Sequence, residues 1–97
     1  GDKIYMAPEV LQGQIGKPAD IFSFGLIMLE LVANIELPTQ GDSWQMLRND
    51  DFSLITFEDD IPTEMITLVK GMLRSLPKER LKIDQILLLI QANQMAD

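Results

Sequence analysis

The feature that most constrains this chain is the segment PADIFSFGLIMLELVA, residues 18–33, which is apolar nearly all the way round. A helix with so little polar surface belongs inside a larger body of protein or inside a membrane. Length decides against the membrane. The uninterrupted apolar run covers only residues 26–29, and Asp20, Ser23 and Glu30 break the wider segment; a span needs about 20 apolar residues. The segment therefore predicts a central core helix, buried on most faces. Pro18 suits its first turn, where a missing N–H costs nothing, and Asn34 with Pro38 marks its end.

The rest of the chain reads as shorter helices around this one. Pro8 to Gln12 predicts a single helical turn, with Gly13 and Gly16 as breakers. Asp42 or Ser43 is placed to cap a short helix running to about Arg48. An acid-rich loop should fill residues 49–60. A second helix should run from about Thr63 to Arg74, with Met65, Leu68, Val69, Met72 and Leu73 on one face, and Pro77 should stop the chain from continuing it. A last helix is expected from about Ile83 to Asn93, with Ile86, Leu87, Leu89 and Ile90 as its apolar side. No segment reads as a strand, so the fold class is all-α. Three short helices cannot cover the central one on all sides, which implies further protein around it.

Composition narrows the chemistry. At 97 residues the chain makes at most one small domain, and its 46% apolar share fits a packed one. The formal charge of −7 argues against nucleic acid as a partner, because phosphate contacts need a basic face. The acids concentrate between Asp50 and Glu64 and the basic residues between Lys70 and Lys82, and both stretches read as solvated surface. With no Cys and no His, the chain can hold no disulfide, no Cys nucleophile, no His general base and no zinc site of the usual kind. Absence of Cys also suits an intracellular protein. The first residue is Gly, no signal-peptide pattern follows it, and residues 1–5 read as the middle of a loop; the expectation is a fragment of a longer chain.

Three motifs, in order and at matching spacing, carry a family resemblance. Ala7-Pro8-Glu9 matches one tripeptide of the protein-kinase signature set. Asp20-Ile21-Phe22-Ser23-Phe24-Gly25 resembles the Asp-x-Trp-Ser-x-Gly start of the buried helix of the kinase large lobe. Pro77-Lys78-Glu79-Arg80 resembles the Pro-x-x-Arg segment near the kinase C-terminus. Between them, Asn34, Leu37-Pro38, Gly41, Trp44 and Leu47-Arg48 form a series similar to the Wee-type kinases that restrain cyclin-dependent kinases, and Gly1-Asp2 ahead of Tyr5 fits the same group. The retained Ala-Pro-Glu and Tyr5-Met6 resemble the membrane-associated tyrosine- and threonine-specific branch more than the nuclear animal branch.

The resemblance implies a fold and a function. Residues 1–97 would be a partial kinase domain, the helical C-terminal part of the large lobe, from the end of the activation segment to the C-terminal helices. The parent would transfer phosphate from ATP, with magnesium, to Tyr and Thr of a cyclin-dependent kinase, restraining entry into mitosis. The Gly-rich loop, phosphate-pairing Lys, catalytic-loop Asp and Asn, and metal-binding Asp-Phe-Gly of such an enzyme do not occur here. No catalytic base or metal ligand is therefore assigned, and the fragment should bind no cofactor and transfer no phosphate alone. An alternative is a non-catalytic kinase-like module that only binds partners. The location implied is nucleus or cytoplasm, with no membrane segment in this chain and any endomembrane association left to parts outside it.

Residue roles follow the same resemblance. Asp2, Lys3 and Tyr5 would belong to the substrate loop, Tyr5 shaping it through packing and its hydroxyl. Asp2 should find a Lys, Arg or backbone amide as partner, because contact with the catalytic carboxylate would force one of the two to hold a proton. Glu9 and Arg80 occupy positions that meet in kinases and should pair. Asp20 reads either as a first-turn acid favoured by the helix dipole or, on the kinase pattern, as a carboxylate reaching backbone amides of the catalytic loop. Trp44 is open between a core anchor and a substrate-docking face. Two departures weaken local turns: Leu76 stands where many kinases have Asp, and Lys82 where a Ser or Thr often caps the last helix, so that helix should start raggedly.

Overall fold

The computed structural model describes residues 3–95, all of it helix, turn and loop. Four α-helices carry the fold: α1 Lys17–Ala33, α2 Gly41–Leu47, α3 Thr63–Met72 and α4 Ile83–Met95. Short 3-10 turns at Lys3–Tyr5, Pro8–Gln12 and Pro77–Glu79 link them, and no strand occurs among the described residues. This is the all-α architecture expected from the pattern of apolar positions.

α1 is the spine. Pro18 sits in its first turn, and Asn34 ends it in the left-handed conformation (φ 54°), its N–H bonding back to the Glu30 carbonyl. Asn tolerates that conformation better than most residues, and it satisfies one of the carbonyls a helix end leaves open. Ala19, Phe22, Leu26, Leu29 and Ala33 line the buried side and pack with Ala7, Leu37, Leu47, Val69 and Leu73. A smaller cluster of Leu68, Met72 and Ile86 seats α4 on α3. The expectation that α1 is buried on most faces needs correcting for this chain: Phe24, Ile27 and Leu31, spaced three and four apart, stand exposed on its other side. The remaining elements are too short to wrap it.

α3 meets α1 closely because Gly25 has no side chain. A Cβ built there would lie 2.9 Å from Met72 Cβ and 3.0 Å from Leu73 Cδ2. The expected face of α3 is the observed one, with Leu68, Val69, Met72 and Leu73 buried. α4 differs from expectation. Of its apolar side only Ile86 is buried, while Leu87, Leu89 and Ile90 are exposed.

Two helix starts also differ. α2 begins at Gly41 from an extended Gln40 with no side-chain cap, so neither Asp42 nor Ser43 caps it. Gly41 takes a positive φ of 82°, which turns the chain into the helix at little cost to a residue without Cβ. α4 starts cleanly rather than raggedly. The Gln85 side chain reaches back to accept the Lys82 N–H at 2.9 Å, which is the N3 half of a capping box.

Candidate functional site

The segment of residues 3–7, KIYMA, lies across α1 and α2 and is tied down by side chains from both. From α1, Ser23 donates to the Tyr5 carbonyl at 2.6 Å, and the Tyr5 hydroxyl donates to Glu30 Oε1 at 2.7 Å. From α2, Trp44 Nε1 donates to the Lys3 carbonyl at 2.9 Å. Arg48, just after α2, donates through Nη2 to Ile4 (2.8 Å) and Lys3 (3.2 Å) and through Nε to Met6 (3.1 Å). Beyond the segment Ala7 is fully buried. Two of the three polar groups that interrupt the apolar pattern of α1, Ser23 and Glu30, thus help to hold this segment.

Arg48 is 2% exposed, yet no carboxylate lies within 4.0 Å of it among the described residues. Carbonyl oxygens compensate its charge instead, the fourth being that of Trp44 at 3.4 Å. The guanidinium also stacks 4.0 Å from the Trp44 ring centre, with Phe22 at 5.7 Å. Burial pushes its pKa down to about 10, far enough above neutrality that it remains a cation. Its signal in the sequence was its spacing: Trp44 and Arg48 are four apart, so they share one face of a short helix.

Glu9 and Arg80 meet as expected. Arg80 Nη1 lies 2.7 Å from Glu9 Oε2 and Nη2 lies 2.8 Å from Oε1, a two-pronged ion pair between side chains 1% and 9% exposed. The remaining Arg80 donors reach the carbonyls of Arg74, Pro18 and Ser75 at 2.7, 2.9 and 3.0 Å. Arg80 therefore uses all five N–H groups to join the turn of residues 8–12, the start of α1 and the end of α3. Burial raises the Glu9 pKa, but the Arg80 bonds and its own backbone N–H outweigh this and hold the carboxyl below its ordinary 4.5.

The other expected residues fall as follows. Lys3 is exposed, and its carbonyl anchors the segment. Asp20 is exposed and borders two hollows. One, of about 720 Å³, lies between the start of α1 and residues 77–84; the other, of about 200 Å³, lies beside Tyr5 and Ser23. Trp44 is buried, with its N–H turned to the segment it supports. Asp2 lies outside the described residues. No group of three or more His, Cys, Asp or Glu side chains that could hold a metal ion occurs among the described residues. No described helix is long and apolar enough to cross a membrane.

A loop is pinned across a central helix, and the turn that follows it is locked by a buried Glu–Arg pair. Residues 1–89 match the protein kinase domain family, and the chain belongs to that family. Over most of its length the chain is similar to Wee-type kinases. It is 41% identical over 87 residues to the membrane-associated tyrosine- and threonine-specific cdc2-inhibitory kinase of Drosophila melanogaster, covering 90% of this chain and 16% of that protein. It is 41% identical over 80 residues to the cdc2-inhibitory kinase wee-1.3 of Caenorhabditis elegans, covering 82% of this chain and 12% of that protein. With the mitosis inhibitor protein kinase wee1 of Schizosaccharomyces pombe the identity is 40% over 108 residues, covering 90% of this chain and 12% of the relative. The chain thus spans less than a fifth of each of these relatives' length.

Proposed function

We propose that this chain forms the protein-substrate loop and its helical support in a kinase that phosphorylates Tyr and Thr of a cyclin-dependent kinase and so restrains entry into mitosis. Residues 1–97 are, on this reading, the part of the domain from the end of the activation segment to the C-terminal helices. The observation that carries it is the anchoring of residues 3–6, whose carbonyls accept bonds from Ser23, Trp44 and Arg48 while the Tyr5 hydroxyl bonds Glu30. Phosphoryl transfer depends on positioning and charge stabilisation. A protein acceptor must be held in register, and a short segment fixed at successive residues serves that need. On this reading ATP and magnesium belong to other parts of the parent. The relatives' names, inhibitors of mitosis and of cdc2, support the choice of acceptor. An intracellular site of action follows from that acceptor.

The test uses the full-length kinase, Mg-ATP and a cyclin-dependent kinase complex. Wild type should label the acceptor on Tyr or Thr. Tyr5→Phe, which loses the bond to Glu30, should raise the KM for the protein acceptor by roughly ten- to a hundredfold at most, the scale of one hydrogen bond to a charged group. Binding of the acceptor with no labelling by wild type would replace this reading with the non-catalytic module.

A further inference from the structure

We infer that Arg48 is a positioning residue for the protein acceptor: its buried guanidinium holds residues 3–6 in their docked shape, with backbone carbonyls as its counter-charges. The inference rests on the substrate-loop reading given above. A buried cation is costly unless it is paired and hydrogen-bonded. Most buried arginines meet a carboxylate, as Arg80 meets Glu9. Arg48 meets none among the described residues. Its acceptors are the carbonyls of Lys3, Ile4, Met6 and Trp44. Three of these four belong to the loop, so if the loop moves away the cation loses most of its compensation. The reverse also holds. The Lys3 carbonyl accepts from both Trp44 and Arg48, and the Ile4 and Met6 carbonyls accept from the same guanidinium.

Geometry makes the role particular to arginine. The acceptors spread over four residues of loop, and one planar group reaches them because its donors fan out in a fixed plane. The rings of Trp44 and Phe22 fix that group against rotation. A lysine ammonium would keep the charge but is a compact point, and it cannot reach Lys3, Ile4 and Met6 together with the same directions. The arrangement therefore selects one loop conformation rather than merely filling the space under it.

The experiment compares full-length wild-type kinase with Arg48→Lys, Arg48→Met and, as a structural control, Arg80→Lys. Three quantities are read: amide hydrogen exchange of residues 3–7, the KM and kcat for the protein acceptor beside the KM for ATP, and Tm. Positioning predicts faster exchange confined to residues 3–7 and a KM for the acceptor raised about tenfold or more in both Arg48 variants, with the KM for ATP unchanged. Arg80→Lys should instead lower Tm and speed exchange across the domain. Unchanged exchange at residues 3–7 overturns the inference. So does full rescue by Arg48→Lys, which would leave charge alone as the cause, or exchange that rises everywhere in step with a fallen Tm, which would make Arg48 purely structural. If wild type transfers no phosphate but the Arg48 variants still loosen residues 3–7 alone, the proposed activity falls and the clamp stands.

Discussion

Phe22 lies close to two buried guanidinium groups, that of Arg80 at 4.9 Å from its ring centre and that of Arg48 at 5.7 Å. Arg80 is neutralised by a carboxylate, and this makes its pair sensitive to acid. The folded protein holds Glu9 below its ordinary pKa of 4.5, so the unfolded chain takes up the Glu9 proton first as pH falls. The stability contributed by the pair is full above about pH 4.5 and is lost as pH drops through the folded value. Glu9→Gln in the full-length kinase should lower unfolding free energy by about 3–5 kcal/mol at pH 7, since it leaves Arg80 buried without a counter-charge. The gap to wild type should shrink below pH 4.5. Urea titrations at pH 7 and pH 4 check this, and a gap that stays constant between them rules it out. Arg80 was legible because it closes a motif with a known partner position. Arg48 was less so. Three of its four acceptors are backbone carbonyls 42 to 45 residues away, and backbone acceptors leave no residue-type signature in a sequence.

The crossing of α1 and α3 sets two helix-scale effects against each other at Gly25. Helix propensity favours Ala over Gly by about 1 kcal/mol. Packing opposes it: the new methyl group would sit 2.9 Å from Met72 Cβ, an atom fixed to the α3 backbone rather than the tip of a flexible side chain. Overpacking of that kind costs roughly 1–3 kcal/mol, so Gly25→Ala should be net destabilising in the full-length kinase. A Tm equal to or above wild type would show that α3 yields easily. α1 was readable as a long segment apolar nearly all round and α3 from its 3.6-residue apolar pattern, and each has a clear stop signal, Asn34 for α1 and Pro77 beyond α3. The starts of α2 and α4 were not. Asp42 and Ser43 are good caps by type, but the turn at Gly41 places both inside the helix. Lys82 is a poor cap by type, and Gln85 supplies the missing acceptor from within α4. The 3-10 turn Lys3–Tyr5 had no local pattern at all, because the bonds that hold it come from Ser23, Glu30, Trp44 and Arg48.

At the scale of the whole molecule, apolar surface is distributed in a way the chain alone does not resolve. Phe24, Ile27 and Leu31 on α1 stand outside both buried clusters, as do Leu87, Leu88, Leu89 and Ile90 on α4. Contiguous exposed apolar patches are uncommon on stable monomers and drive association when left bare. A chain of 97 residues also buries too small a share of its surface to offset much of this. The isolated chain should therefore bind a hydrophobic dye, self-associate at micromolar concentration and unfold over a broad temperature range. Replacing Phe24, Ile27 and Leu31 together with Ser, Lys and Glu should cut dye binding and association while leaving far-ultraviolet circular dichroism nearly unchanged, because none of the three belongs to a buried cluster. The same triple substitution in the full-length kinase should be strongly destabilising if the parent covers this face of α1. Sedimentation, dye titration and melting of both forms decide the matter. A monomeric isolated chain with one sharp cooperative transition would mean that the buried clusters around Phe22, Leu26 and Leu29 suffice on their own, and that the bare side of α1 is simply solvated.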